Sequence, residues 1–189
     1  MLLVNRHTGE QLRLRRIERR GEVWLELKGS LPAQRSGPPL HIHFFEDESR
    51  HVTSGKLTVL IDKHQVTVAA GSSTAIPRGV PHRWWNAGSQ TLEFEGTVRP
   101  VVDLDRFLQA LFEIVNAGPA DNPPMFYVAH AALRHRDTQL VLIFPRAIQG
   151  VLFRAIVAVG TILGKYKGTD WPGCPERCVG APLGAEEEN

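Results

Sequence analysis

The sequence contains very little cysteine. Its two cysteines, Cys174 and Cys178, lie close together in a polar segment near the end of the chain. Two cysteines exclude a disulfide-stabilised scaffold, so we expect a reducing, cytoplasmic environment. The pair has the side chains of zinc ligands, but no second pair lies nearby, and a zinc site there is not favoured.

The sequence also lacks a charge bias and a long apolar run. With 22 basic and 20 acidic residues the net charge is +2, which gives no general reason to expect binding to nucleic acid or an anionic membrane. Residues 1–6 lack the basic and apolar regions of a secretory signal, so none is expected. The most apolar stretch, residues 151–163, contains Arg154 and is too short to span a bilayer. We expect a helix there that packs on the rest of the protein or on a second subunit.

A β-hairpin is predicted over residues 11–28. Leucines alternate with charged residues on both sides of Gly21, and Arg19 and Arg20 precede that glycine in the turn. Five arginines fall within residues 11–20, which raises the alternative of a phosphate-binding strip. Their period of two favours a solvated outer face, paired with Glu18, Glu22 and Glu26.

Short strands separated by turns continue to residue 98. Strands are predicted over residues 57–61, 65–69, 74–76 and 91–98. Many short strands with regularly spaced turns are typical of an all-β barrel or a double-sheet jelly roll.

The pattern changes to a helical one after Pro100. Apolar residues recur at helical spacing over residues 107–115, and Asp103 or Asp105 can cap this helix. Further helices are predicted over residues 126–135 and 147–163. We therefore divide the 189 residues into a β-barrel over 1–100, a helical extension over 101–168 and a flexible, polar tail over 169–189.

Four side chains within residues 41–86 form a candidate metal site. His41 and His43 are two residues apart, so on a strand they share one face and can bind the same ion. Glu48 and His82 can add a carboxylate and a third imidazole from other strands. Three histidines and one carboxylate suit a first-row divalent metal and leave one or two positions open for substrate.

Neighbouring residues offer alternatives at this site. By position, Glu46 and Asp47 could replace Glu48 as the carboxylate ligand. Strand parity turns His51 outward. Parity also places Phe45 and Trp84 on the pocket wall, although Trp84 suits a plain core role equally well. The remaining histidines have no ligand context: His7, His64, His130 and His135.

These residues resemble the two signature motifs of the cupin family. The match covers about residues 25–98. It departs from the family pattern at one position, since the family has a glycine where this chain has Arg35, and this chain has a glycine two residues later, Gly37. The first motif is carried by His41-x-His43, Glu48 and Gly55, and the second by Gly71, Pro77-x-Gly79, His82 and Asn86.

The resemblance implies a double-stranded β-helix, the cupin jelly roll, with one metal held by His41, His43, Glu48 and His82. It makes Gly55, Gly71 and Gly79 turn glycines, and Asn86 a structural turn residue. Glu48 stays a ligand or detaches to act as a catalytic base. The metal can be Fe, Mn, Ni, Co, Cu or Zn, since all accept these ligands. A homodimer is expected, as in many small cupins.

The ligand set narrows the possible functions but does not decide between them. In cupins it resembles that of dioxygenases, decarboxylases and isomerases, and an aromatic pocket wall favours dioxygen chemistry on a small organic substrate. The alternative is a non-catalytic module that holds a metal or small ligand. A weaker third hypothesis is a membrane-surface protein that uses residues 147–163.

Overall fold

Two antiparallel sheets enclose the apolar core of the computed structural model, which describes residues 1–119 and 123–166. The first sheet has the strand order β1-β2-β3-β11-β6-β9. The second has the order β12-β5-β10-β7-β8, and β4 pairs with β10. The strands are β1 Leu2–Val4, β2 Gln11–Arg19, β3 Glu22–Leu31, β4 Arg35–Ser36, β5 His41–His43, β6 Asp47–Ser54, β7 Lys56–Ile61, β8 His64–Ala69, β9 Ser73–Ile76, β10 His82–Asn86, β11 Leu92–Arg99 and β12 Gln139–Val141.

The predicted hairpin is confirmed as β2 and β3. Its turn residues Arg20 and Gly21 have φ values of 55° and 80°, which is the left-handed conformation that a two-residue hairpin turn requires. Alternation along the strands turns the leucines inward, and inward residues of both sheets form one core. The jelly-roll prediction is therefore confirmed. The fully buried core residues include Leu14, Leu25, Leu31, Leu57, Ile76, Leu92 and Phe94.

The arginines within residues 11–20 were predicted to form a solvated outer face, and the structure agrees in part. Arg15 and Arg19 pair with Glu26 at 3.1 and 2.7 Å. Arg16 instead makes a bidentate pair with the buried Asp105 of the following helix, with both N–O distances 2.8 Å. Asp105 therefore ties the helix to the barrel rather than capping it. Asp103 occupies the N-cap position, but its side chain makes no capping hydrogen bond.

Three helices follow the barrel, close to the predicted bounds: α1 Leu104–Asn116, α2 Met125–Arg134 and α3 Arg146–Ile162. α3 packs on α2 through the buried Phe153, while Val151 and Ile162 on its outer side are exposed. No helix in the described part of the chain is long and apolar enough to cross a membrane. The predicted tail and the two cysteines lie outside the described residues.

The strand β12 lies inside the segment expected to be helical, and the sequence analysis missed it. Gln139, Leu140 and Val141 pair with His43, Ile42 and His41. The extension thus adds a strand to the barrel directly beside the histidine-bearing β5. A three-residue strand has too few positions to show a period, and its stability depends on the edge that it joins. The predicted domain boundaries stay predictions.

Gly96 in β11 is expected to be hard to replace. A Cβ at this position would lie 2.2 Å from the carbonyl oxygen of Ser49 and 2.8 Å from a methyl group of Leu27. Both neighbours belong to paired strands, so relief requires a backbone shift. We expect Gly96→Ala to lower the free energy of unfolding by about 1–3 kcal/mol in urea titrations.

Gly150 in α3 is the matched control for this substitution. No atom lies within 4 Å of a Cβ built there, and its backbone is helical. Gly150→Ala should therefore raise the free energy of unfolding by about 0.5–1 kcal/mol, as expected inside a helix. Equal effects of the two alanines would contradict the packing argument.

Candidate metal centre

Three histidines and one glutamate converge on one point between the two sheets. One ligand atom from each of His41, His43, Glu48 and His82 lies within 4.8 Å of the other three. His41 and His82 are directly paired on β5 and β10, with ring centroids 4.1 Å apart. Glu48 reaches the same point from β6 of the other sheet, and its Oε1 lies 2.9 Å from His43 Nε2 and 4.0 Å from His82 Nε2. The structure thus brings together all four predicted ligands.

A glycine turn places β5 and β10 beside each other. Gly79 has φ of 77°, so a side chain there would be strained, and its N–H donates to the His43 carbonyl oxygen at 2.7 Å. This bond joins the turn before β10 to the end of β5. The histidines of the two strands are therefore held at a fixed separation by backbone contacts.

The outer nitrogen of each imidazole is bonded to an oxygen. His41 Nδ1 donates to Pro39 O at 2.8 Å and His82 Nδ1 donates to Val80 O at 2.9 Å. His43 Nδ1 donates to Oε1 of Gln139. These oxygens only accept, so each Nδ1 carries the proton and each Nε2 keeps its lone pair for the centre.

The inward-facing Nε2 atoms of the histidines and the carboxylate of Glu48 suit a bound cation. Nε2 of His43 and of His82 is buried and has no aligned hydrogen-bond partner in residues 1–119 and 123–166. His43 Nε2 is 2.9 Å from Glu48 Oε1, but the contact lacks hydrogen-bond alignment. Lone pairs that face each other in a dry site are costly unless a proton or metal ion satisfies them. The donor set therefore fits a divalent transition metal.

Electrostatics keep most of these groups in their metal-binding forms. Burial, followed by the neighbouring histidines, holds the pKa of His41 well below its usual value, and burial lowers the pKa of His82. Burial works to raise the pKa of Glu48, but Arg50 and the histidines outweigh it and hold that pKa well below its usual value. For His43, burial is likewise outweighed, chiefly by Glu48, and the pKa is raised. Of the three imidazoles, His43 is therefore the one that holds its proton most tightly, and metal binding must displace that proton.

A glutamine from the extension orients one of the predicted ligands. Gln139 accepts from His43 Nδ1, and its Nε2 donates to Oε2 of Glu46 at 2.5 Å. Glu46 Oε1 in turn accepts from the backbone N–H groups of Val102 and Leu104 at 2.9 and 3.4 Å, where α1 begins. Glu46 is therefore not an alternative ligand to Glu48. Through Gln139 it links His43 to the start of α1. Its pKa is raised by burial.

A cavity of about 300 Å³ opens next to the histidine cluster. His41, His43 and Glu48 line one part of it, and apolar side chains of α1, α2 and the β2–β3 hairpin line most of the rest. The helical extension is thus the cover of the candidate site. Its lining members include Phe107, Leu108, Leu111 and Phe112 from α1, and Val128 and Ala132 from α2.

The predicted aromatic wall is partly correct. Trp84 is 4% exposed, lines the cavity and packs edge-on against Phe94, with ring centroids 5.2 Å apart. Phe45 is 50% exposed and does not line the cavity. Parity failed there because β5 ends at His43 and the chain bends before Phe45. Phe107 and Phe112 supply the additional aromatic surface.

Other residues singled out in the sequence have structural roles. The Asn86 side chain donates to the carbonyl oxygens of Leu31, Pro32 and Gln90, in line with the turn role predicted for it. His135, which has no ligand context in the sequence, is buried, and its Nδ1 lies 2.6 Å from Oδ2 of Asp103.

Three polar residues near the site were missed: Glu10, Arg50 and Gln139. Arg50 follows Glu48 by two positions on β6, so the same parity rule could have placed it inside. Glu10 stands just before the hairpin, and Gln139 lies in a segment without a periodic pattern. Neither position gives a signal in the sequence, because their neighbours come from distant parts of the chain.

Comparison with known proteins agrees with this geometry. Residues 29–98 match the family model of the cupin domain, and all four predicted ligands fall inside the match. Residues 29–98 therefore form a cupin domain. The model matches only the central part of the chain, and the helices lie outside it.

One curated relative and several solved structures are similar to this chain. The oxidoreductase iacF of Pestalotiopsis fici is 36% identical over 80 residues, which are 41% of this chain. The chain matches only 39% of the length of that relative.

Three solved structures illustrate the structural similarity. KdgF from Halomonas sp. is 15% identical, with 51% of this chain and 84% of that chain covered and a TM-score of 0.43. The Schizosaccharomyces pombe Cnp3 cupin domain is 16% identical, with 50% and 68% covered and a TM-score of 0.42. The Lactobacillus farciminis oxalate decarboxylase formate complex is 17% identical, with 49% and 29% covered and a TM-score of 0.42. All three TM-scores are below 0.5.

Proposed function

We propose that this cupin binds one divalent transition metal through His41, His43, Glu48 and His82 and acts on a small, largely apolar organic molecule. The observation that carries this proposal is a complete set of four inward ligands that opens onto an apolar, helix-covered cavity. The similarity to an oxidoreductase favours dioxygenase-like chemistry over isomerisation or decarboxylation. A bound metal would supply a Lewis-acidic or redox-active centre with open positions for substrate or dioxygen.

The protein's own residues would prepare the site for this chemistry. The apolar side chains of α1 and α2 exclude water, which strengthens electrostatic interactions inside the cavity. Trp84 and Phe107 offer flat surfaces against which an aromatic or aliphatic substrate can lie. Arg50 Nη2 is 2.7 Å from Glu48 Oε2, and His43 faces Oε1. Because Arg50 lies at ion-pair distance from Oε2 and His43 lies against Oε1, Glu48 is better placed as a fixed ligand than as a base that detaches.

Elemental analysis of protein purified without an affinity tag or added metal tests this function. We expect about one redox-active metal per chain, followed by oxygen uptake with aromatic or diketone substrates. Stoichiometric zinc would instead move the assignment to isomerase or lyase chemistry. A folded protein that contains no metal and takes up none on reconstitution would overturn the proposal.

A non-catalytic binding module is the second candidate. It is favoured by the same cavity, because an apolar, helix-covered cavity suits retention of a small molecule as well as turnover. Tight binding of a ligand that is recovered unchanged from the metal-loaded protein under air would support this alternative.

A second copy of the chain remains the expected partner, to be tested by light scattering.

A further inference from the structure

The cavity contains one acidic side chain that the candidate metal site does not use. Glu10 lies in the loop before β2, is 6% exposed and lines the same cavity as His41, His43 and Glu48. In the described part of the chain no residue donates a hydrogen bond to its carboxyl group. A buried carboxyl group without a partner is costly, and a buried titratable group that lines a cleft is a candidate for ligand binding.

The cavity that Glu10 lines is mostly apolar. Its lining includes Leu12 and Leu27 from the hairpin and Ile114 and Val115 from α1, the polar Asn5 lines it as well, and the positive charge of Arg50 on β6 acts on the Glu10 carboxyl group. Burial raises the pKa of Glu10 to about 7, against the opposing effect of Arg50. The carboxyl group is therefore a hydrogen-bond donor below neutral pH.

Arg50 interacts with both Glu48 and Glu10. It points inward two positions after Glu48 on β6, a step of about 6–7 Å along the strand. Its register partner on β11 is Gly96, where a Cβ would lie 3.2 Å from Arg50 Nη1, so the missing side chain leaves room for the guanidinium group. Arg50 is paired with Glu48 and is largely neutralised. The polar side chains that line the cavity are thus the ligand cluster with its neighbour Arg50, and Glu10 with Asn5, while the remaining lining is apolar.

We propose that Glu10 is a second polar anchor of the cavity, which donates a hydrogen bond to a neutral carbonyl or hydroxyl oxygen of a small, largely apolar ligand. The placement of the ligand's other polar end at the metal rests on the proposed function; the role of Glu10 does not. The ligand class is therefore a compact aromatic or aliphatic molecule with oxygen functions at two separated positions.

A pair of matched probes tests this role. In 2-acetylnaphthalene a carbonyl oxygen accepts a hydrogen bond, and in 2-isopropenylnaphthalene a methylene group of similar shape replaces it. Binding is measured by calorimetry, with quenching of tryptophan fluorescence as a second readout because Trp84 lines the cavity. At pH 6 we expect wild-type protein to bind the ketone about five- to tenfold more tightly. At pH 8.5 the ionised carboxylate faces the carbonyl oxygen, and this preference should disappear.

Two variants at position 10 sharpen the result. Glu10→Gln keeps an N–H donor that does not titrate, so the ketone preference should persist at both pH values. Glu10→Leu fills similar space without a donor, and its preference should fall to about one at both. No preference in the wild-type protein at pH 6, or the full preference in Glu10→Leu, would overturn the proposal.

A metal-free control separates this inference from the proposed function. The pH-dependent preference for the ketone should survive in His82→Ala, because the donor is Glu10 rather than the metal. A preference that is lost in His82→Ala and retained in Glu10→Leu would assign the carbonyl to the metal and reject Glu10 as its partner. Failure to load any metal would overturn the function but leave the preference due to Glu10 intact.

Discussion

His82→Ala is expected to purify with less than about one tenth of the wild-type metal content. His82 is 1% exposed, and its Nε2 faces the shared point while Nδ1 is fixed by Val80. Removal of one of four ligands should weaken metal binding by more than the 10- to 100-fold typical for residues that only orient a ligand. Metal content after dialysis against a weak chelator measures the effect directly.

The control for this variant is His64→Ala. His64 begins β8 and is exposed, and it lies outside the cluster that can hold an ion. Its replacement should leave the metal content unchanged. Circular dichroism must show that His82→Ala is folded, since the side chain is also part of the interior. Equal metal content in a folded His82→Ala and in wild type would show that the ion, if any, is held elsewhere.

Gln139→Met is expected to weaken metal binding by about 10- to 100-fold. Methionine fills similar volume but cannot accept from His43 Nδ1 or donate to Glu46. Without this acceptor, His43 loses the contact that fixes its ring and tautomer, and Glu46 loses its 2.5 Å partner. Competition with a metal-binding dye gives the affinity, and the visible spectrum of the cobalt-loaded protein reports the ligand geometry. A change in that spectrum would not follow from a purely structural loss.

Gln149→Met is the matched control. Gln149 is also a buried glutamine, and within residues 1–119 and 123–166 its side chain bonds only to backbone groups of Val141, Ile143 and Phe144. We expect this variant to be less stable than wild type while its metal affinity and cobalt spectrum stay unchanged. If both glutamine variants lowered the affinity equally, the effect would reflect general loosening of the extension rather than orientation of His43.

The fold prediction succeeded where the interactions are local. Leucines with a period of two define β2 and β3, and a two-residue turn joins them, so the hairpin can be recognised from a short window. The spacing of His41, His43, Glu48 and His82 encodes which residues point inward from neighbouring strands, and the structure brings the four together. Whether they hold a metal stays a prediction.

The sequence analysis failed where one element depends on another. Phe45 was assigned to the pocket by parity, but parity has meaning only while the strand continues. Asp105 has the right position for a helix cap, yet the guanidinium group of Arg16, 89 residues earlier, offers a bidentate ion pair that a cap cannot match. In both cases a local rule gave way to a tertiary contact.

The sequence by itself determined the jelly roll, the inward ligand set and the presence of helices after Pro100, because alternation, turn residues and motif spacing act over a few residues. Only the tertiary structure decided how the site is completed. The link from His43 to Gln139 spans 96 residues and that from Gln139 to Glu46 spans 93. Glu10 faces the cavity only because α1 and β6 close around it. Such contacts depend on packing between distant segments, for which a single sequence carries no periodic signal.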